Sequence, residues 1–228
     1  MEKVVIGNAE LYLGDCMDVL PTLDKSGLVL ITDPPYLMTA TGGGIGAKRK
    51  YLSDIDNHID GGFDFSLLDG FDNWLVFCAK AQLIDLLSKA ESLQKRWALL
   101  TWNKNNPTPL TNNNYLPDTE YMVHAFQRHD YKEKQKFIVG NVEKSGYDHP
   151  SVKPPYVMDK VINSASHSDD TIIDIFMGTG STGVAALKFG RKFIGIEREP
   201  KYFEIACRRI EDAQKQVDMF VPPAPPPA

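Results

Sequence analysis

The sequence is poor in cysteine, and this shortage excludes two common ways of stabilising a chain. Its 228 residues include three cysteines, Cys16, Cys78 and Cys207. Because they are few, far apart and without a Cys-x-x-Cys pair or clustered histidines, they support neither a disulfide framework nor a zinc site. We therefore predict reduced thiols and no bound metal.

Long hydrophobic runs are also absent. No apolar stretch approaches the roughly 18 residues of a membrane-spanning helix, and the opening Met-Glu-Lys-Val-Val lacks the basic and apolar regions of a signal peptide. We therefore expect a cytosolic protein without membrane contact. With 43% hydrophobic and 24% charged residues, a chain of this length suits one globular domain.

The chain has no excess of positive charge. A net charge of −5 gives no general attraction to nucleic acid, so such a partner would have to be held by local basic patches. One candidate is the cluster Lys48-Arg49-Lys50, and another is the stretch 128–136. Solvated surface charge is the alternative interpretation of both.

Short apolar runs alternate with helical patterns along most of the chain. The extended runs are 4–6, 11–13, 28–32, 75–78, 97–102, 121–126, 171–176 and 192–196. The helical patterns are 17–23, 81–93, 157–165, 184–189 and 202–213. This alternation predicts an α/β fold with a mostly parallel sheet. We expect Trp74, Trp97 and Trp102 to lie in its core.

Two stretches break the pattern. Residues 37–72 combine a glycine-rich segment, the basic cluster and an acidic segment, and a structureless stretch of this length is usually functional or disordered. We predict that it is a mobile substrate loop of a single domain spanning 1–220. The proline-rich end, 221–228, is predicted to be an extended tail that cannot join a core.

The tetrapeptide Asp33-Pro34-Pro35-Tyr36 directly follows the apolar run 28–32. Proline offers no N–H to a sheet ladder, so the strand must end here, with its last polar groups held in set directions. In open α/β sheets, ligands bind at the carboxyl ends of the strands. Average residue usage gives this tetrapeptide in about one chain per thousand of this length. We therefore interpret it as a site rather than a stiff turn.

A second motif, Gly178-x-Gly180-x-x-Gly183, lies between a predicted strand and a predicted helix, and Glu197 ends the next strand. In a nucleotide site, such glycines let the backbone approach the ligand, and the acid accepts hydrogen bonds from ribose hydroxyls. A tight turn with a surface glutamate is the alternative. Because no Gly-Lys-Ser/Thr follows, the loop is not a P-loop.

Together these motifs resemble the S-adenosylmethionine-dependent DNA amino-methyltransferases of the beta class, in which the catalytic motif precedes the cofactor motif. The matching segments are Asp-Pro-Pro-Tyr at 33–36, His-Pro-Ser-Val-Lys-Pro at 149–154 and Asp-Ile-Phe-Met-Gly-Thr-Gly at 174–180, with Thr-Trp-Asn-Lys at 101–104 and Glu-Tyr at 120–121. The resemblance implies a Rossmann-like, seven-stranded, mostly parallel sheet with flanking helices. It also implies adenine N6 as the target, because Asp33 opens the catalytic tetrapeptide where serine goes with cytosine N4.

The resemblance carries donor-binding roles onto matching positions. Glu197 would hold the ribose of S-adenosylmethionine, Asp15 would lie near its adenine, and Lys153 and Asp174 would address its amino acid moiety. The residues expected along the donor within the loop are Phe176, Gly178, Thr179, Gly180, Ser181 and Thr182. An ordinary turn residue remains the alternative for Asp15, and a solvated lysine remains the alternative for Lys153.

The catalytic tetrapeptide suits methylation of an exocyclic amine. Such an amine is a poor nucleophile, and acceptance of its N–H bonds by the Asp33 carboxylate and the Pro34 carbonyl would stabilise the positive charge that grows on nitrogen. Pro35 would fix the direction of the chain, and Tyr36 would stack on a base flipped out of the duplex. The methyl transfer then needs no covalent enzyme intermediate.

Double-stranded DNA is therefore the expected partner. Residues expected to contact it are Lys48, Arg49, Lys50, Lys104 and Asn105. Residues 104–148 leave room for only a small target-recognition insert. A homodimer and a partner restriction nuclease are further expectations, in the cytoplasm of a bacterial or phage-infected cell.

Three alternative functions are also compatible with the sequence. An S-adenosylmethionine enzyme acting on cytosine N4, RNA or protein would use a similar tetrapeptide. A nicotinamide-dependent oxidoreductase would use the glycine loop, although its fingerprint normally opens the chain. A DNA-binding protein with a decayed site is the non-enzymatic alternative.

Overall fold

A computed structural model of the chain describes residues 2–36, 62–107, 115–127, 131, 133–142 and 152–220. Most of the predicted substrate loop (37–61), including the basic cluster Lys48-Arg49-Lys50, lies outside the described residues, as does the tail 221–228. The described end of that loop is packed: Leu67 and Leu68 of a short 3-10 helix, Phe65–Leu68, are buried, and so is Phe71.

The described residues form nine strands and five α-helices. The strands are β1 (Glu2–Ile6), β2 (Ala9–Leu13), β3 (Leu28–Thr32), β4 (Asn73–Cys78), β5 (Arg96–Lys104), β6 (Thr119–Phe126), β7 (Phe137–Gly140), β8 (Thr171–Asp174) and β9 (Lys192–Glu197). The helices are α1 (Cys16–Val19), α2 (Leu83–Ser92), α3 (Pro155–Ala165), α4 (Ser181–Lys188) and α5 (Pro200–Phe220).

All nine strands join one mixed sheet in the order β1-β2-β9-β8-β3-β4-β6-β5-β7. Five of its neighbouring pairs are parallel, which confirms the predicted mostly parallel α/β fold. The strand number differs from the expected seven because each edge carries one more strand. At one edge β1 pairs with β2 through the two-residue turn Gly7-Asn8, in which Gly7 has a φ of +52°. At the other edge β7 pairs with β5.

Helices cover both faces of the sheet, which gives three layers. Alternate side chains of β4 show this division: Leu75 and Phe77 pack in one core with α3, α4 and α5, whereas Trp74, Val76 and Cys78 pack in the other with α1 and α2. Every residue of β4 is buried. The sheet centre is therefore packed on both faces, and it supports whatever lies at its strand ends.

Several local predictions can now be compared with the structure. Cys16, Cys78 and Cys207 are free thiols, and the first two are buried. The prediction that Trp97 lies in the core was wrong. The residue is 41% exposed at the start of β5, and its indole N–H donates to Glu91 at 2.6 Å. Among the described residues, no helix is long and apolar enough to span a membrane.

Candidate active site

The two sequence motifs meet at the point where the strand order of the sheet reverses. Strands β3 and β8 are parallel neighbours, but the next strand along the chain pairs on the far side in each case, β4 beside β3 and β9 beside β8. Ligands of open α/β sheets bind in the crevice at this kind of switch point. The two strand ends are joined there by the Thr32 hydroxyl, which donates to Asp174 Oδ1 at 2.6 Å.

The tetrapeptide leaves β3 into this crevice. β3 ends at Thr32, immediately before Asp33, as the two prolines require. The Pro35 carbonyl accepts a hydrogen bond from the Gln82 side chain at 3.3 Å, and the Tyr36 hydroxyl donates to Glu120 at 3.4 Å. The motif is thus held from both sides by segments distant in sequence.

Asp33 has one oxygen paired and one unpaired. Oδ2 accepts a hydrogen bond from the Lys153 ammonium, whereas Oδ1 is buried and has no hydrogen-bond partner among the described residues. An unsatisfied buried acceptor costs about 1–3 kcal/mol, and such groups need a functional explanation. Burial raises the pKa of Asp33, and the positive charge of Lys153 opposes that rise. Oδ1 is therefore suited to accept an N–H from a ligand.

Lys153 belongs to a buried charge cluster, which we define as Asp33, Lys104, Glu120 and Lys153. The Lys104 ammonium lies 2.7 Å from Glu120 Oε1, and the Lys153 ammonium lies 3.4 Å from Glu120 Oε2. The two acids and the two bases alternate, so the cluster carries no net charge. Burial alone would raise the pKa of Glu120, but Lys153 and Lys104 outweigh it and hold that pKa low.

No role was predicted for Glu120 from the sequence, whereas the structure places it between Lys104 and Lys153. The only sequence signal was the Glu-Tyr pair at 120–121, and nothing in its spacing indicates that Glu120 shares Lys153 with Asp33. Lys153, predicted to address the donor, here contacts Asp33. Lys104, predicted to contact DNA, here pairs with Glu120.

The glycine loop and Glu197 meet on the other side of the crevice. The Gly178 N–H donates to one carboxylate oxygen of Glu197 at 2.8 Å, and the Glu199 N–H donates to the other at 2.8 Å. Burial raises the pKa of Glu197. A carboxylate has about four acceptor positions, so these two bonds leave capacity for ribose hydroxyls. This part of the site therefore fits S-adenosylmethionine.

Asp15 lies on the same edge. It caps α1 by accepting the Met17 N–H at 2.8 Å, and the neighbouring Gly14 N–H donates to the backbone carbonyl of Glu197 at 2.9 Å. The structure thus brings together the two acids predicted for the adenosine portion of the donor.

Two of the three motif glycines provide close packing. Gly178 and Gly180 have φ values of +53° and +83°, which a side chain rarely adopts. A Cβ on Gly180 would lie 3.1 Å from Ala206 of α5, and a Cβ on Gly183 would lie 2.6 Å from the Phe193 ring. Gly180 and Gly183 therefore let α4 approach α5 and β9.

Asp174 joins β3, β8 and α4. It is 2% exposed and accepts three hydrogen bonds, from the Thr32 hydroxyl at 2.6 Å, the Thr182 hydroxyl at 2.6 Å and the Phe176 N–H at 3.1 Å. Burial raises its pKa to about 6, although these hydrogen bonds oppose the rise. Its carboxylate, and the hydroxyl of Thr182, are thus engaged within the protein.

The remaining loop side chains face α5 or an aromatic cluster. Arg209 lies within hydrogen-bond distance of the Thr179 hydroxyl (2.9 Å) and the Ser181 hydroxyl (3.3 Å). The Phe176 ring meets Phe63 edge-on, with 5.9 Å between centroids. Phe63 was missed in the sequence, where its position in the acidic segment of 37–72 gives no sign of contact with Phe176.

Two of the five residues predicted to contact DNA, Lys104 and Asn105, are among the described residues. Lys48, Arg49 and Lys50 lie outside the described residues. The Asn105 N–H donates to the Gly140 carbonyl at 3.0 Å, which ties the end of β5 to β7. The contacts of Lys104 and Asn105 with DNA remain predictions, and the Lys104 ammonium is already paired with Glu120.

Comparison with known proteins agrees with this geometry. A family model of N6/N4 methyltransferases, described as DNA methylase, matches residues 127–208. The Type II methyltransferase M2.LlaDCHI of Lactococcus lactis subsp. cremoris is 30% identical to the chain and aligns over 89% of each protein.

Two solved structures share the fold. The M1.HpyAVI–SAM complex has a TM-score of 0.66 at 26% identity, covering 88% of this chain and 99% of that one. The cytosine-N4-specific PvuII DNA methyltransferase has a TM-score of 0.67 at 15% identity, covering 93% of each chain. The convergence of the Asp-Pro-Pro-Tyr motif with the glycine loop, together with these relatives, shows that the chain belongs to the S-adenosylmethionine-dependent DNA N6/N4 amino-methyltransferases.

Proposed function

We propose that the chain transfers a methyl group from S-adenosylmethionine to the N6 amino group of adenine in double-stranded DNA. The observation that carries this proposal is the divided carboxylate of Asp33, with one oxygen on Lys153 and the other buried without a partner among the described residues. An acceptor of this kind, opposite the glycine loop, suits an amine that must lose its planarity to react.

The protein's contribution is to accept hydrogen bonds and to align the reactants. Asp33 Oδ1 would accept one N–H of the target amine, and the Pro34 carbonyl would accept the other. Both acceptors stabilise the positive charge that develops on nitrogen. S-adenosylmethionine, when bound, supplies a methyl group activated by the sulfonium charge, and the rest of the catalysis is alignment for an in-line displacement.

The target base has to leave the duplex, which costs a few kcal/mol. We assign Tyr36 to the stacking that offsets this cost, and stacking of a base on an aromatic ring contributes about 1–3 kcal/mol. Its hydroxyl is 3.4 Å from both the Glu120 carboxylate and the Lys153 ammonium, so the ring is already held in place.

The donor would lie between the two motifs. We propose that Glu197 binds the ribose, that Asp15 lies near the adenine, and that Phe176, Gly178 and Gly180 line the donor. Lys153 and Asp174 remain our candidates near its amino acid moiety, Asp174 through the backbone that it holds. The proposed substrate would place the reaction in the cytoplasm of a bacterial or phage-infected cell.

Removal of the Asp33 carboxylate tests the proposal. Asp33→Ala and Asp33→Asn should each lower the single-turnover rate of methyl transfer by about 10³-fold or more, because a preorganised charge acceptor is lost. The rate is measured as tritium passing from labelled donor into DNA, and donor affinity is measured by calorimetry. We expect that affinity to change little. Asp85→Ala, an exposed carboxylate on α2, is the matched control.

The target base is read from the product. Wild-type enzyme should yield N6-methyladenine in hydrolysed DNA, detected by mass spectrometry. N4-methylcytosine instead would establish the runner-up function, since an Asp33 carboxylate could accept from that amine too. Label found in RNA or protein but not in DNA would contradict the proposal, as would retained turnover in Asp33→Ala.

A further inference from the structure

The buried charge cluster contains two residues that the proposed reaction does not use. The Lys153 ammonium that contacts Asp33 lies 3.4 Å from Glu120, at the start of β6. Lys104, at the end of the adjacent strand β5, pairs with Glu120. Their side chains are 17% and 19% exposed. Burying an ion pair is expensive unless its geometry is good, so a pair beside a catalytic acid needs an explanation.

In this cluster, each of the two inner charges, Lys153 and Glu120, is shared between two partners of opposite charge. Lys153 is shared between Asp33 and Glu120, and Glu120 is in turn shared between Lys153 and Lys104. Without Lys104, Glu120 would have Lys153 as its only cation in the cluster and would draw that ammonium away from Asp33. Without the Glu120 charge, Lys153 would be left entirely to Asp33.

This sharing matters because Asp33 must carry a charge to act. A protonated acid cannot balance the positive charge that grows on the target amine, and burial favours the protonated form. The Lys153 ammonium is the charge that opposes protonation of Asp33. The place of that ammonium between the two carboxylates therefore decides how good an acceptor Asp33 is.

We propose that Lys104 and Glu120 are positioning residues: their ion pair fixes where the Lys153 ammonium lies and thereby holds Asp33 as the charged acceptor for the target amine. Neither residue touches the reacting atoms. The inference rests on the proposed function for its catalytic consequence, and on the charge cluster alone for its effect on Asp33.

Other ionisable groups also face Asp33 and have to be considered. Besides Lys153 and Glu120 they are Tyr36, Cys78 and Asp174. Burial raises the pKa of Tyr36 and raises that of Cys78 to about 12, so both stay neutral throughout the pH range in which carboxyl groups titrate. Asp174, with a pKa of about 6, titrates within that range. Because Lys104 and Glu120 make none of its hydrogen bonds, its effect cancels when variants are compared.

The test uses two variants that should act in opposite directions. Lys104→Met should move the titration of Asp33 to higher pH by about one unit, and Glu120→Gln should move it to lower pH by about one unit. The titration is followed in donor-free protein by the carbon-13 signal of the Asp33 carboxyl group, assigned with Asp33→Asn. Lys104→Arg keeps the charge and should restore the wild-type titration.

The same variants are then examined in single-turnover methyl transfer to DNA. The acid limb of the pH–rate profile should move with the titration, so that Lys104→Met loses about fivefold in rate at the wild-type midpoint and recovers at high pH. Lys160→Met is the matched control, because it removes a partly buried ion pair with Glu133 at 3.2 Å outside the site. Thermal unfolding confirms that each variant is folded.

The outcomes separate this inference from the proposed function. Unmoved titrations, or shifts in the same direction, would overturn the positioning role whatever the enzyme methylates. Titrations that shift as expected while the acid limb stays fixed would overturn its catalytic part. A product other than N6-methyladenine would change the proposed target and leave the carbon-13 result standing.

Discussion

Asp174 is a buried carboxylate whose hydrogen bonds join three segments of the chain. Its folded pKa is about 6, whereas the ordinary value is 3.8, so the folded protein holds this proton more tightly than the unfolded chain does. The free energy of unfolding should therefore fall as the pH rises from about 4 to about 6, by on the order of 3 kcal/mol from this group. Above that range both states are ionised, and the effect is constant.

Asp174→Asn tests this expectation, because the amide has the same shape and no charge. Its oxygen can accept from Thr32 and Phe176, while its NH₂ group donates to the Thr182 hydroxyl. Relative to this variant, wild-type protein should lose stability between pH 4 and pH 6 in urea unfolding. Asp85→Asn, an exposed acid, controls for charge alone. Parallel pH curves for wild type and Asp174→Asn would refute the assignment.

Individual residues differed in how well their neighbours could be foreseen. Asp33 and Glu197 were predictable as candidate site residues because the strand that precedes each one can be recognised in the sequence. The partners of Asp33 were not, since Glu120 and Lys153 come from strands and loops more than 80 residues away. Spacing along a chain carries no information about which charges will share a buried volume.

At the scale of elements, the glycine loop shows that packing and ligand binding can have the same sequence signature. Gly183→Ala should destabilise the protein by about 1 kcal/mol. Alanine gains up to about 1 kcal/mol of helix propensity within α4, but its Cβ would lie 2.6 Å from Phe193 and 2.8 Å from Ile210. Overpacking of this kind costs about 1–3 kcal/mol, so the steric effect wins.

Urea unfolding of Gly183→Ala, Phe193→Leu and the double variant measures the two effects separately. A smaller side chain at Phe193 makes room for the methyl group, so the double variant should be more stable than the sum of the single changes predicts, by about 1 kcal/mol. Additive single effects would mean that the ring does not restrict this position. A stabilised Gly183→Ala would mean that helix propensity dominates.

Strands were predictable where they are buried and less so at the edges. β3, β4 and β8 are apolar enough to be recognised as runs, and the structure places them in the centre of the sheet. β7 was missed because only four residues form it, and Phe137 and Val139 are exposed on the outer strand. Trp97 was misassigned for a related reason: β5 is exposed where it begins.

For the whole molecule, chain order and spatial order are independent. The catalytic motif comes first and the cofactor motif last, yet β3 and β8 pair directly through Leu28–Leu30 and Thr171–Ile173. Alternating strands and helices predicted the parallel sheet, because each crossover helix returns the chain to the end of the sheet where the previous strand began. Of the two outer strands, β1 was recognised as an extended run, whereas β7 could not be counted from the pattern, since the closing edge of a sheet depends on pairing rather than on periodicity.

Because the donor site is built from segments far apart in the chain, it exists only in the folded molecule. S-adenosylmethionine at 100 times its dissociation constant should therefore add about 2.7 kcal/mol to the free energy of unfolding. For a chain of this size that corresponds to a rise in Tm of roughly 5–11 °C. The measurement is thermal unfolding with and without the donor, and NAD at the same concentration should leave Tm unchanged.

Glu197→Gln distinguishes donor binding at the proposed ribose site from binding elsewhere. Gln keeps the size of the side chain but replaces one acceptor oxygen with NH₂, so it cannot satisfy the Gly178 and Glu199 N–H groups and two ribose hydroxyls together. A tenfold weaker affinity would reduce the donor-induced gain to about 1.4 kcal/mol, roughly 3–6 °C. The comparison uses this gain and not Tm itself, since the lost hydrogen bond also lowers the stability of the free variant. Equal gains in wild type and Glu197→Gln would show that the donor is not held by Glu197.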